Sequence, residues 1–202
     1  MNKKKIAFLV IIIVALILIV SSTIAYLTDK KDTQTNTITL GSVKINLIEP
    51  NWHETDEQAF DENISEDPTI ENVGNNSAYV FIKVSIPIIA GEEKIKFINH
   101  NGEDGINADS WSLLGTNAIE SSEVPEYNIN VTGYAIQTSE INGSPIDVYK
   151  SFDSNYTNSD STTLPTNGTK EYVFYYGKDN KLTSLTSGQK TEALFNNIQL
   201  LQ

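Results

Sequence analysis

The sequence predicts an all-β protein, an antiparallel β-sandwich. Three observations carry that prediction. Eight or nine short segments alternate apolar and polar residues with a period of two, separated by clusters of Gly, Asn, Asp, Ser and Pro. After residue 25 no apolar spacing of helical period runs far enough to make a substantial helix. The remaining length, residues 26–202, suits one buried core and is short for two.

The chain begins with Lys3, Lys4 and Lys5, followed by the uncharged apolar run Ile6 to Val20. Basic residues ahead of an apolar stretch are the order of a secretory signal helix. As a helix this run spans roughly 22 Å, short of a bilayer core of about 30 Å. Continuing it through Ser21, Ser22 and Thr23 to Leu27 gives the competing reading, an uncleaved membrane anchor. Thr23 and Ala25 put small residues at the −3 and −1 positions of a signal peptidase site, which predicts cleavage between Ala25 and Tyr26. The predicted organisation is a signal peptide over 1–25, a polar leader over 26–36 and a single sandwich domain over 37–202.

The whole chain carries a net charge of −12, with no Arg and no Cys. Losing three Lys with the signal makes the remainder more acidic still, so nucleic acid is not an expected partner. Such a surface keeps subunits soluble, and any assembly is favoured where salt, acid or divalent ions screen the charge. Without Cys, core burial rather than disulfides must supply stability.

Thr37 to Glu49 reads as the first strand, with Ile38, Leu40, Val43, Ile45 and Leu47 as its apolar set. The phase slips at Gly41-Ser42, which predicts a β-bulge there. Residues 50–67 are acidic and aperiodic, with seven acids between Trp52 and Pro68, and read as a loop. Clustered carboxylates are hard oxygen ligands, yet the D-x-D-x-D-G spacing of a calcium loop is absent. His53-Glu54 begins like a zinc-protease H-E-x-x-H, but position 57 is Glu. A short strand and turn follow over 68–74.

Ala78 to Ile88 is the clearest strand: Val80, Ile82, Val84 and Ile86 share a face that must be buried, making it a central strand. Pro87 lacks a ladder donor and belongs where that strand meets an edge or leaves the sheet. Lys94 to Ile98 is a further strand. The Gly, Asn and Asp-rich connection after it holds His100, Asn101, Glu103, Asp104 and Asp109, a second place for calcium and equally the composition of any long turn. Trp111 and Leu113-Leu114 form a short apolar strand with Trp111 as core filler. Tyr127 to Thr138 is a strand, and Ile146 to Tyr149 is a shorter one after the turn signal Asn142-Gly143. Ser151 to Gly168 reads as an exposed loop, Glu171 to Gly177 as a strand, and Ala193 to Leu201 as a strand or short helix.

Taken together, Ala25 to Asp29 and Asn36 to Leu47 resemble the start of the TasA, CalY and camelysin group of Gram-positive bacteria. The shared pattern is an aromatic residue after the cut, an acid soon after, then N-T-hydrophobic-T-hydrophobic-G-x-V running into a strand. Further likeness lies in Glu49 to Trp52, Asp67 to Gly74, Ala78 to Val84, Ser110 to Leu114, Tyr175 to Gly177 and Ala193 to Leu200. The resemblance implies a jelly-roll-like sandwich, processing by a SipW-type signal peptidase, and a place on the cell surface or in the biofilm matrix. Relatives carry the segment resembling Tyr127 to Gln137 after that resembling Leu194 to Leu200; the order here is reversed, which leaves the strand topology open.

Three functions follow. The first is a matrix or surface protein that forms fibres, its segment Asp29 to Leu47 adding as a strand to a neighbouring subunit. The second is a camelysin-like metallopeptidase, for which His53, Glu54 and His100 are the available zinc ligands, fewer histidines than such sites normally use. The third is a monomeric adhesion module anchored by Ile6 to Val20. The first is preferred; no catalytic residue and no cofactor are expected, with calcium at Asn101, Glu103, Asp104 and Asp109 as the alternative.

Overall fold

The computed structural model describes residues 36–40, 43–48, 60, 62–139, 141–156 and 163–202. All of them belong to one compact unit, 35–202. Among the described residues the fold is all-β, with antiparallel sheets and one short helix. The expected signal helix over 1–25 and residues 26–35 of the expected leader lie outside the described residues.

The large sheet is organised around β5 (Ala78–Ile89), flanked by β9 (Asn130–Gln137) and β10 (Asn167–Lys178). Beyond β10 lies β8 (Trp111–Glu120), and beyond β9 lies β1 (Asn36–Leu40). The alternation in β5 has the consequence expected of it: Val80, Ile82, Val84 and Ile86 are fully buried between neighbours on both sides. Pro87 pairs with Thr169 of β10, but β9 has already ended opposite Ser85, so no ladder bond is lost on that side.

Two tight hairpins extend this sheet. β5 turns at Ala90 and Gly91 into β6 (Glu92–Glu93), and β10 turns at Asp179 and Asn180 into β11 (Lys181–Leu182). All four turn residues have positive φ, the requirement of a type I′ turn whose twist matches the strands.

The second layer comprises β2 (Ile45–Ile48) paired with β4 (Thr69–Asn72), and β12 (Asn197–Leu200) between β3 (Asn63–Ser65) and β7 (Ile95–Ile98). Residues 189–196 run beside 66–72 and join these pieces through Leu194 N to Pro68 O, Thr191 N to Ile70 O and Asn72 N to Gln189 O. Side chains of both layers meet in one core, where Phe195 stacks on Phe97 at 4.8 Å between ring centroids.

A second apolar cluster lies on the other face of the large sheet, around Phe81, Tyr134, Ile136, Val173 and Tyr175. Helix α1 (Pro145–Tyr149) and the turns after it cover it with Val148, Tyr149, Phe152 and Tyr156. Two expectations change here. Ile146 to Tyr149 is helical, not a strand, because Ser144 and Asp147 form a capping box and Pro145 sits in the first turn. Ser151 to Gly168 is not wholly an exposed loop, since Phe152 and Tyr156 pack into this cluster and β10 already begins at Asn167.

The expected single strand over 37–49 is also corrected. β1 pairs with β9 in one sheet and β2 pairs with β4 in another, so the two halves of the expected strand belong to different sheets. The expected bulge at Gly41-Ser42 lies outside the described residues; a described register shift falls on β8 at Leu114, between the pairs Val173–Gly115 and Phe174–Leu113. Trp111 fills the core as expected, in a strand of ten residues.

Candidate functional site

β1 and β2 both lie against β9. β1 lies parallel to β9 in the register Asn36–Thr132 through Leu40–Ile136, whereas every other described strand pair is antiparallel. Among the described residues β1 pairs with no other strand, so it forms a sheet edge held by one ladder. β2 is held differently. Val43, Ile45 and Leu47 are buried in the main core, and Gly133 of β9 allows the approach, with Ile70 Cδ1 and Leu47 Cβ each 3.5 Å from where its Cβ would stand. The proposed assembly set thus separates into two roles. Ile38 and Leu40 lie on an edge strand; Val43, Ile45 and Leu47 anchor the chain behind it.

The expected cleavage residues Thr23, Ala25 and Tyr26, and the ligand candidates His53 and Glu54, lie outside the described residues. His100, Glu103, Asp104 and Asp109 lie in the connection after β7, which is organised by amides. Asn99 Oδ1 accepts from the backbone N–H groups of Asn101 and Glu103. Asn107, almost fully buried, accepts from the His100 backbone N–H at 2.9 Å and contacts His100 Nδ1 at 2.7 Å. Its nitrogen donates to Ala193 O and Asn196 Oδ1, both at 2.8 Å. A backbone carbonyl on one side and a backbone N–H on the other fix the amide orientation, so His100 Nδ1 carries the proton in this contact.

Two acids of this loop face lysines. Asp104 pairs with Lys96 at 2.6 Å and Asp109 with Lys178 at 3.6 Å. Among the described residues no three His, Asp or Glu side chains converge as a metal-binding group.

Two polar clusters on the large sheet have no counterpart among the sequence-based candidates. Glu93 accepts from Lys170 at 2.6 Å and from the Tyr172 hydroxyl, with Lys170 over the Tyr172 ring. Burial, then the hydrogen bond and charge of Glu93, hold the Tyr172 phenol far above its ordinary pKa. A cavity of about 240 Å³ opens beside it, lined by Glu93, Ile95, Phe97, Tyr172 and Leu201 among others. On the opposite face Lys83 pairs with Glu171 at 2.8 Å. Burial opposes the charged amine, but the hydrogen bond to Glu171 and the attraction of Tyr134 and Glu171 outweigh it and raise its pKa. Period-two alternation puts Lys170 and Tyr172 on one face, but their partner Glu93 comes from a two-residue hairpin strand too short to show a period.

Compared with known protein families, curated proteins and solved structures, the chain matches none.

Proposed function

We propose that this chain is an exported structural subunit of a cell surface or extracellular matrix, joined to its neighbours by strand addition through β1. One observation carries the reading: the first described strand lies at a sheet edge, bound by a single ladder, while the strand after it is locked in the core. Such a strand can leave β9 of its own subunit and take the same place on β9 of the next. The ladder lost is replaced by an identical one, so exchange costs little beyond the entropy of association. Because β2 stays home, each subunit gives one strand and receives one, and a head-to-tail contact of that kind propagates as a filament unless it closes into a ring.

The basic and apolar order of Lys3 to Val20, the small residues Thr23 and Ala25, and the resemblance to the TasA, CalY and camelysin group support export and processing by a SipW-type peptidase. Cleavage before Tyr26 would free the amino end of the donor segment. The same resemblance supports a jelly-roll-like sandwich as the finer description of the fold. This reading assigns no catalytic residue and needs no cofactor.

Truncating the exported chain immediately before Val43, which removes β1 and keeps β2, tests it. Filaments, read by negative-stain microscopy, should disappear while circular dichroism still reports a folded β protein; unchanged filaments would sink the mechanism.

A further inference from the structure

The sequence contains three Asn-Gly steps, at Asn101, Asn142 and Asn167. Each can in principle cyclise, because Gly offers no side chain to hinder attack of its backbone nitrogen on the preceding side-chain carbonyl. The fold treats the three differently. At Asn101 the Gly102 N–H donates to Asn99 O at 3.0 Å, closing a tight turn. At Asn167 the backbone belongs to β10, with Gly168 paired to Ile88 on one side and Glu120 on the other. The Asn167 carbonyl accepts from Ser121 at 3.0 Å, and its side-chain oxygen faces the Ala90 N–H at 3.4 Å.

Asn142 and Gly143 are both exposed and outside any strand or helix. Among the described residues the Gly143 N–H and the Asn142 side chain make no hydrogen bond. The step lies immediately before the Ser144–Asp147 capping box that starts α1.

We propose that Asn142 is a self-modification site, the one Asn-Gly step the folded protein leaves able to form a succinimide. Solvent hydroxide removes the Gly143 amide proton, and the nitrogen attacks Cγ of Asn142. A new N–Cγ bond forms, the amide C–N bond breaks, and the nitrogen leaves as ammonia. Water then opens the five-membered ring at either carbonyl, giving aspartate or isoaspartate without any redox change. Either product adds a negative charge; isoaspartate also routes the main chain through the side-chain methylene. That extra backbone atom falls between Ile141, packed against the aromatic cluster, and Ser144, the cap of α1. The cover over Phe81, Tyr134 and Tyr175 is therefore loosened at its leading end.

The test is to incubate the folded protein at mildly alkaline pH, digest it, and follow all three steps by peptide mass spectrometry, with a parallel sample in urea. Conversion at Asn142 should lead that at Asn101 and Asn167 several-fold in the folded sample, and the three should converge in urea. Gly143→Ala should slow conversion at Asn142 and leave the other two unchanged. Asn101 or Asn167 reacting first, or an order unaffected by urea, would overturn the proposal.

Discussion

Replacing Asn107 by Asp exchanges one nitrogen for an oxygen and leaves the volume of the side chain almost unchanged. The wild-type nitrogen donates to Ala193 O and Asn196 Oδ1, each at 2.8 Å. In Asn107→Asp both contacts become oxygen against oxygen. Asn196 can turn its amide and donate, but the Ala193 carbonyl cannot, so one buried acceptor pair stays unrelieved. Losing a hydrogen bond costs about 1 kcal/mol and an uncompensated buried group about 1–3 more, or about 3 kcal/mol in all. With a urea slope of about 2 kcal/mol/M, the unfolding midpoint should fall by about 1.5 M at neutral pH.

Acid should relieve the defect. A carboxyl facing a carbonyl favours its protonated form, so the folded pKa of the introduced carboxyl is raised above the unfolded value of about 4. With its proton it again donates to Ala193. The deficit relative to wild type is therefore smallest below the unfolded pKa and grows as pH rises through the folded one. Urea titrations of both proteins across this range provide the assay. A neutral-pH midpoint within about 0.3 M of wild type, or a deficit that widens in acid, would refute the assigned amide orientation.

Gly177 has φ +144°, and a Cβ there would meet Lys181 O at 2.0 Å; Gly177→Ala should destabilise the fold by roughly 2–4 kcal/mol in chemical unfolding, and a loss under about 0.5 would contradict the hairpin geometry. Ser144→Ala removes the capping hydroxyl of α1 and should cost about 1 kcal/mol, with near-ultraviolet dichroism of the aromatic cluster changing more than the far-ultraviolet β signal. Tyr156 has a buried hydroxyl with no hydrogen-bond partner among the described residues. Burial, then the charges of Asp153 and Glu171, push its pKa up to about 12. Unfolding releases that proton near the ordinary value of about 10, so stability should fall between these two pH values. Tyr156→Phe should be neutral or mildly stabilising below this window and flatten the fall within it; an identical slope in both proteins would exclude Tyr156 as its source.

What the sequence makes legible follows from local periodicity. β5 can be assigned as central from its alternation alone, because burying one face of Val80 to Ile86 requires a second layer. What stays hidden depends on partners far along the chain. Period two holds on either side of the slip at Gly41-Ser42, so the apolar set is visible, but periodicity reports a face and not a neighbour. It gives no sign that Leu40 pairs with Ile136 while Leu47 pairs with Ile70. Val148 and Tyr149 suggest a strand by their apolar character, although Ser144-Pro145 followed by Asp147 carries the helix-start signal. Asp104 and Asp109 resemble cation ligands in the sequence because their lysine partners, Lys96 and Lys178, come from β7 and the distant end of β10.

The account turns on whether β1 of one chain lies on β9 of another. Because the chain has no Cys, Thr39→Cys and Ala135→Cys, which face each other in the β1–β9 register, can be made as separate single variants, mixed, and oxidised after assembly. Strand exchange predicts a disulfide joining the two variants, seen as a covalent dimer on a non-reducing gel of the filament fraction. Filaments that form without this cross-link would contradict it.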